Sequence, residues 1–209
     1  MSDRFQLVLG THNKKKRREL ELLMAGLSLD VLTLDDFDNA LSVEETGTTF
    51  AENAALKATV QAKHLHQWMM GEDSGLSVAA LDGAPGVYSS RYAGEDGNDQ
   101  ANNAKLIEGL RDVPPKKRDA WYTCHVTLSD PAGNVCIDVE ATCRGRIVLE
   151  PRGHAGFGYD PHFEIPEYHL TFAEMGDTVK SILSHRARAM RQFLNRFRRF
   201  PQLTESHQS

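Results

Sequence analysis

Long apolar runs are missing from this sequence, so no stretch approaches the roughly 20 residues that a membrane-spanning helix needs. The start, MSDRFQLVLG, mixes charges with a very short apolar run, and no secretory signal is visible in it. Cysteine is scarce. Cys124, Cys136 and Cys143 are odd in number and lack C-x-x-C spacing, which argues against a disulfide framework or a cysteine zinc site. They fit reduced thiols of a cytoplasmic protein. A phosphate loop of the form G-x-x-x-x-G-K-[ST] is absent, and no spacing demands a Ser/His/Asp triad. Net positive charge is lacking too: the formal charge is −5, which argues against general nucleic-acid binding. There is no internal repeat and no low-complexity segment. What remains is ordinary globular composition, 40% hydrophobic and 25% charged over 209 residues, enough for a sizeable core.

Along the chain, RFQLVLG (4–10) reads as a buried strand, THN as a turn, and the residues from Lys14 as a helix with Leu20, Leu23, Met24 and Leu27 on one stripe. A loop at the carboxyl end of such a strand is the usual ligand position in open α/β sheets. DVLTL (30–34) reads as a second strand. Thr49-x-x-Glu52 is a capping box opening an alanine-rich helix that the pattern carries through HLHQWM. GEDSGL then reads as a turn or strand end, and the glycine- and proline-punctuated stretch 77–97 as a long connector. Residues 98–110 form another helix. AWYTCHVTLSD, NVCIDVEATCRGRIV and PHFEIP are β-branched and aromatic, with DPAGN as a hairpin turn between the first two. The last helix is placed over 179–197, with Val179, Ile182, Leu183, Met190, Phe193, Leu194 and Phe197 on one stripe. The expected fold class is α/β: a central mixed β-sheet with flanking helices, in two lobes with the active-site cleft between them. Residues 1–200 form this one domain, and 201–209 a polar tail.

Five segments could carry chemistry. In THNKKK, the Thr11 hydroxyl, the Asn13 amide, backbone N–H groups and a basic helix start suit phosphate oxygens, although a solvated helix start fits as well. Glu44-Glu45 precede a helix that puts Asn53 and Lys57 on one face at i, i+4; oxygen donors of this kind suit magnesium. Glu72-Asp73 set two carboxylates side by side. A solvated turn accommodates them, and so does a metal-and-base corner in which one holds a cation and the other handles a proton. GFGYDP (156–161) offers an aromatic face to a nucleobase between permissive glycines. His185 and Arg186 in SHRARA could read a ring. His64 and His66, at i, i+2, share no helical face and are set aside as a metal pair. Together the five describe a site for a magnesium-bound nucleoside triphosphate.

THNKKKRREL, EETGTTFAENAALKA, EDSGL with GAPGVYSSRYAG, GFGYDP and TFAEM followed by SHRARA resemble, in order and spacing, the inosine triphosphate pyrophosphatase family, the house-cleaning XTP/dITP diphosphatases. The resemblance runs from about Phe5 to Leu194. It implies Mg²⁺-dependent hydrolysis of dITP, ITP and XTP to monophosphate and pyrophosphate by a homodimer; the charge and the lack of a signal or membrane run add the expectation of a cytoplasmic protein with no nucleic-acid or membrane partner. It also implies residue roles. Thr11, His12, Asn13, Lys14, Lys15 and Lys16 form the triphosphate loop, and Lys57 is the helix lysine near the phosphates. Asp73 is the general base and a metal ligand, Glu44 and Glu72 are metal-associated acids, and Ser74 is a substrate contact. Phe157, Gly158, Tyr159 and Asp160 match the base loop, and Lys180, His185 and Arg186 the purine contacts. The chain departs from the family pattern with EDSG where many bacterial members have DDSG, and with His12 where glycine is common. Two rivals share parts of this pattern: a Maf-type nucleotide pyrophosphatase and a non-catalytic nucleotide- or RNA-binding protein.

Overall fold

The computed structural model describes residues 4–25 and 29–200. Leu27 and the tail 201–209, both assigned above from sequence, lie outside the described residues. The chain runs β1 (Phe5–Leu9), α1 (Lys14–Met24), β2 (Leu29–Thr33), α2 (Phe50–Leu65), β3 (Met69–Val78) and α3 (Asp99–Leu110). It continues with β4 (Asp119–Ser129), β5 (Val135–Ile147), β6 (Phe163–Ile165), β7 (Leu170–Thr171), α4 (Phe172–Leu183) and α5 (His185–Phe197). The strands form one mixed seven-stranded sheet in the order β2-β1-β3-β4-β5-β6-β7. β1 is parallel to both β2 and β3, whereas β6 is antiparallel to β5 and β7. The α/β class with a mixed sheet and flanking helices is the one expected.

By its internal packing the chain divides into two compact units, one holding Met1–Asp73, His125–Glu140 and Arg188–Ser209, the other Ser74–Cys124 and Ala141–Ala187. In the first, the core gathers Val8, Leu34, Ala58, Ala62, Leu65 and Met69. The connections from β1 and from β2 run in opposite directions along the sheet, and with the usual right hand of such crossovers α1 and α2 fall on opposite faces. The second unit has its own core, with Leu76, Leu106, Leu110, Tyr122, Phe163 and Phe172 at its centre.

Local chemistry explains most boundaries. Thr49 caps α2 by accepting from the Glu52 N–H at 3.1 Å, and Glu52 reaches back to the Thr49 N–H at 3.1 Å. Thr49→Ala removes this cap and is expected to cost about 1 kcal/mol, read as a lower melting temperature. The Thr48 N–H, then the Thr48 hydroxyl and the Thr49 N–H, all donating to the Glu52 carboxylate, hold it below its ordinary range. Its contribution is therefore present at neutral pH and lost as the pH falls through the lowered value.

Three expectations are corrected. First, α2 does not run through HLHQWM: His66 turns left-handed (φ 54°, ψ 40°) and caps the helix at Leu65, which frees Met69 to enter β3. Second, EDSGL is neither a turn nor a strand end but the middle of the ten-residue β3. Third, the last helix is two. Ser184 is extended (φ −65°, ψ 158°), and its hydroxyl accepts from the Ala187 N–H at 3.2 Å, so it closes α4 and caps α5. The break shifts the helical phase, and Val179 and Ile182 face outward while Met190, Phe193 and Phe197 are buried.

Candidate functional site

β3 answers the puzzle of two adjacent carboxylates. Successive side chains on a strand point to opposite faces, and the two crossover helices lie on opposite faces. Glu72 and Asp73 therefore each meet a different helix. Lys16 of α1 sits 3.1 Å from Glu72, and Lys57 of α2 sits 2.8 Å from Asp73. Both carboxylates are almost wholly buried, at 1% and 4% exposure. Burial raises the Asp73 carboxyl above its ordinary value; Lys57 and then Lys16 pull it back without cancelling the shift.

Asn53, one turn before Lys57, donates to Asp73 at 3.3 Å, and its own oxygen accepts from the Gly47 N–H at 2.8 Å. That second bond ties the acidic loop to the site. It is Glu45 that reaches Lys57, at 3.3 Å, while Glu44 is exposed. The sequence placed Asn53 on the right face, but it did not select Glu45.

The phosphate-loop residues divide. Asn13 is the N-cap of α1, accepting from the N–H groups of Lys15 and Lys16 at 3.0 and 3.1 Å, and Thr11 accepts from the Asn13 N–H at 3.2 Å. His12, Lys14 and Lys15 are exposed, whereas Lys16 turns toward Glu72. The loop thus presents a row of cationic side chains beside a helix start whose first N–H donors are already taken.

The second unit gathers the remaining candidates. Asp160, 2% exposed, accepts from the Phe157 N–H at 2.8 Å and from Lys180 at 2.6 Å. The Lys180 ammonium lies 4.4 Å from the centre of the Phe157 ring, and the Arg186 guanidinium lies 6.0 Å from it. Arg186 also donates to the Ser74 hydroxyl at 2.9 Å. His185 stacks on Tyr122, with ring centres 4.5 Å apart and planes within 7°. Tyr122 gave no signal in the sequence beyond its place in an aromatic strand. Burial drives its phenol far above the ordinary value, so it stays neutral beside the imidazole.

Tyr159 is packed into the core and donates to the Ser89 carbonyl at 2.7 Å, which leaves half-buried Phe157 as the more accessible ring of the loop. The structure therefore brings Glu72, Asp73, Lys16 and Lys57 together in one unit, and Phe157, Asp160, Lys180, Arg186 and Ser74 in the other.

The Ham1 family profile matches residues 7–196. A dITP/XTP pyrophosphatase of Rhodopirellula baltica is 54% identical over 202 residues, covering 97% of each chain. One of Exiguobacterium sibiricum is 44% identical, covering 90% of this chain and 94% of its own. Among solved structures, a HAM1 protein from Coxiella burnetii superposes with a TM-score of 0.86 at 35% identity, covering 94% of this chain and all of that one. The nucleoside-triphosphatase or dITP/XTP pyrophosphatase of Mycobacterium abscessus gives 0.75 at 37% identity, covering 91% of this chain and 99% of its own. The chain belongs to the Ham1 family.

Proposed function

We propose that this protein is a dITP/XTP pyrophosphatase, hydrolysing dITP, ITP and XTP to the nucleoside monophosphate and pyrophosphate. The names of its relatives support the activity. The observation that carries it is the buried Glu72-Asp73 pair, each carboxylate held by its own lysine. Pure binding has little use for a carboxylate whose proton affinity is raised by burial; a general base does.

In this reading Asp73 takes a proton from water as the water oxygen bonds to the α-phosphorus. The bond from that phosphorus to the bridging oxygen breaks, and pyrophosphate leaves with the electron pair. Lys57 and Lys16 offset phosphate charge next to the reacting atoms, and Lys14 and Lys15 with Thr11, His12 and Asn13 steady the triphosphate tail. The donor set fits Mg²⁺. Among the described residues no three His, Cys, Asp or Glu side chains are grouped to cage a metal. One or two carboxylates completed by water and phosphate oxygens are the usual magnesium arrangement. Asp73 would hold the ion, with Glu44 and Glu72 as outer acids. Bound there, Mg²⁺ would neutralise charge on the pyrophosphate leaving group.

Phe157 offers its face to the purine, while Gly158, Tyr159 and Asp160 shape the loop around it. Lys180, His185 and Arg186 contact the ring, and Ser74 the substrate. A donor at the 6-oxo group of hypoxanthine or xanthine would oppose the 6-amino group of adenine, and such a mismatch of buried polar groups costs far more than a missing methylene. The reading includes a homodimer and a cytoplasmic location, without nucleic-acid or membrane partners. No helix among the described residues is long and apolar enough to cross a membrane.

Pyrophosphate release from dITP, XTP, dGTP, dATP and dUTP, with Mg²⁺ and with chelator, tests it. Release from dITP and XTP that chelation abolishes is expected. Release mainly from dUTP would move the protein to a Maf-type activity, and release from none would leave a nucleotide-binding protein.

A further inference from the structure

We propose that α3 positions the purine-recognition loop through Asp99 and Asn103, which makes these two residues determinants of base affinity and selectivity. The inference rests on the reading above, in which the loop around Phe157 and Gly158 meets the base. Gly158 has both of its backbone polar groups held by one helix. Its N–H donates to the Asp99 carboxylate at 3.0 Å, and its carbonyl accepts from the Asn103 amide at 2.9 Å. Asp99 and Asn103 stand at i, i+4 on α3 and so share a face.

The neighbouring Asn102 shows what an amide that braces a fold looks like. It is buried, its nitrogen donates to the Ser90 carbonyl at 2.9 Å, and its oxygen accepts from the Ala93 N–H at 2.7 Å. Asn103 is built otherwise. Its nitrogen goes to Gly158, and its buried oxygen has no hydrogen-bond partner among the described residues. The hydrogen bond that Asn103 makes runs to the loop, to the Gly158 carbonyl, 55 residues along the chain.

The held peptide lies where a ligand can approach. Gly158 is left-handed (φ 62°), and a Cβ built there would meet nothing within 4 Å. Glycine is required by the sign of φ rather than by crowding. On one side of it, the Phe157 N–H is fixed by Asp160 and the Phe157 ring faces Lys180 and Arg186. Releasing Gly158 from α3 frees its peptide to rotate and tilts the ring that would stack on the base. Neither Asp99 nor Asn103 belongs to the Asp73–Lys57 cluster, so the effect should fall on nucleotide binding and leave the chemical step alone.

Asn103→Ala and Asp99→Ala are each expected to raise KM for dITP about tenfold, the equivalent of roughly 1.4 kcal/mol, with kcat held within about twofold. Inhibition by tripolyphosphate, which has no base, should be unchanged. Asp99→Asn keeps an acceptor for the Gly158 N–H and should return KM to within about threefold of the original, whereas Asn103→Asp loses the donor and should behave like Asn103→Ala. If either alanine variant fails to fold, the two isosteric variants carry the comparison. Unchanged KM, or kcat and tripolyphosphate inhibition weakening in parallel with KM, overturns the positioning role. An original protein that releases no pyrophosphate from any purine triphosphate overturns the functional reading instead.

Discussion

Asp73→Asn is expected to lower turnover of dITP by about three orders of magnitude, within the range attributed to a positioned general base, without lowering the melting temperature. The amide keeps the shape of the carboxylate and an oxygen that can accept from Lys57, but it cannot take a proton from water. Each lysine keeps a carboxylate, since Lys57 retains Glu45 at 3.3 Å and Lys16 retains Glu72 at 3.1 Å. Stability follows from the direction of the Asp73 shift. Its folded value is raised above 3.8, chiefly by burial and despite Lys57 and Lys16. The folded chain therefore binds this proton more tightly than the unfolded chain. Stability falls as the pH rises between the ordinary aspartate value and the raised one, and stays lower above it. Asparagine removes that penalty but turns its NH2 toward the Asn53 amide that donated to the carboxylate at 3.3 Å, so the two effects offset and the variant should melt near the original temperature at pH 7. The same shift places the acidic limb of kcat/KM above the range of an exposed aspartate. Steady-state pyrophosphate release across pH, paired with calorimetric melting, reads both effects. Turnover within tenfold of the original removes Asp73 from the role of base, and a clear drop in melting temperature makes it a structural residue.

Segments whose signals were local were legible in the sequence. The Thr49–Glu52 capping box, the strand-loop-helix at the start and the DPAGN hairpin each depend on residues within about one helical turn or one hairpin, and each stands where the pattern puts it. The i, i+4 placement of Asn53 and Lys57 was readable for the same reason, and both meet Asp73.

Where the partner is distant, the sequence fell silent or misled. Glu, Asp and Gly are poor strand formers, so EDSG read as a turn or strand end. It stays in β3 because lysines on two separate helices accept the two charges, and no window of residues around position 72 contains both. The choice between Glu44 and Glu45 depends on a hydrogen bond from Gly47 to Asn53, which fixes the register of the acidic loop. The GFGYDP segment gave no way to choose between the Phe157 and Tyr159 rings, because the partner of Tyr159, the Ser89 carbonyl, lies 70 residues away. Ser184 was overlooked although serine is a strong N-cap, because the apolar stripe appeared to continue through it. The structure shows two stripes out of phase, and the cap between them sets His185 and Arg186 in the first turn of α5.

Gly71→Ala is expected to destabilise the fold by about 3 kcal/mol, at the upper end of ordinary overpacking, and to reduce activity even where the chain remains folded. Gly71 lies two residues before Asp73 on β3 and so faces α2 with it. A Cβ there would sit 2.2 Å from the Ala54 carbonyl oxygen, 2.8 Å from the Ala58 nitrogen and 3.0 Å from the Ala58 Cβ. Two of these are backbone atoms of a helix, and no side-chain rotation relieves them. Ala54 and Ala58 are fully buried, so α2 rests on β3 through the smallest residues available. The methyl group must push the helix away from the strand. For a chain of this length, that cost corresponds to a fall in melting temperature of roughly 6–12 °C. Asn53 and Lys57 immediately precede the two alanines, so lifting α2 also draws their nitrogens away from Asp73. The activity loss should therefore appear in kcat at temperatures well below the transition, and the acidic limb should move toward higher pH as Lys57 recedes. Gly109→Ala serves as the control: it is exposed on α3, and the nearest atom a Cβ would meet is the Leu81 Cδ2 at 3.3 Å, the far end of a side chain that can turn aside. Alanine there should be neutral or stabilising by up to about 1 kcal/mol, because it replaces glycine within a helix. If Gly71→Ala melts within about 2 °C of the original, α2 yields without cost, and the close approach of helix to strand does not hold the lysine and the carboxylate together.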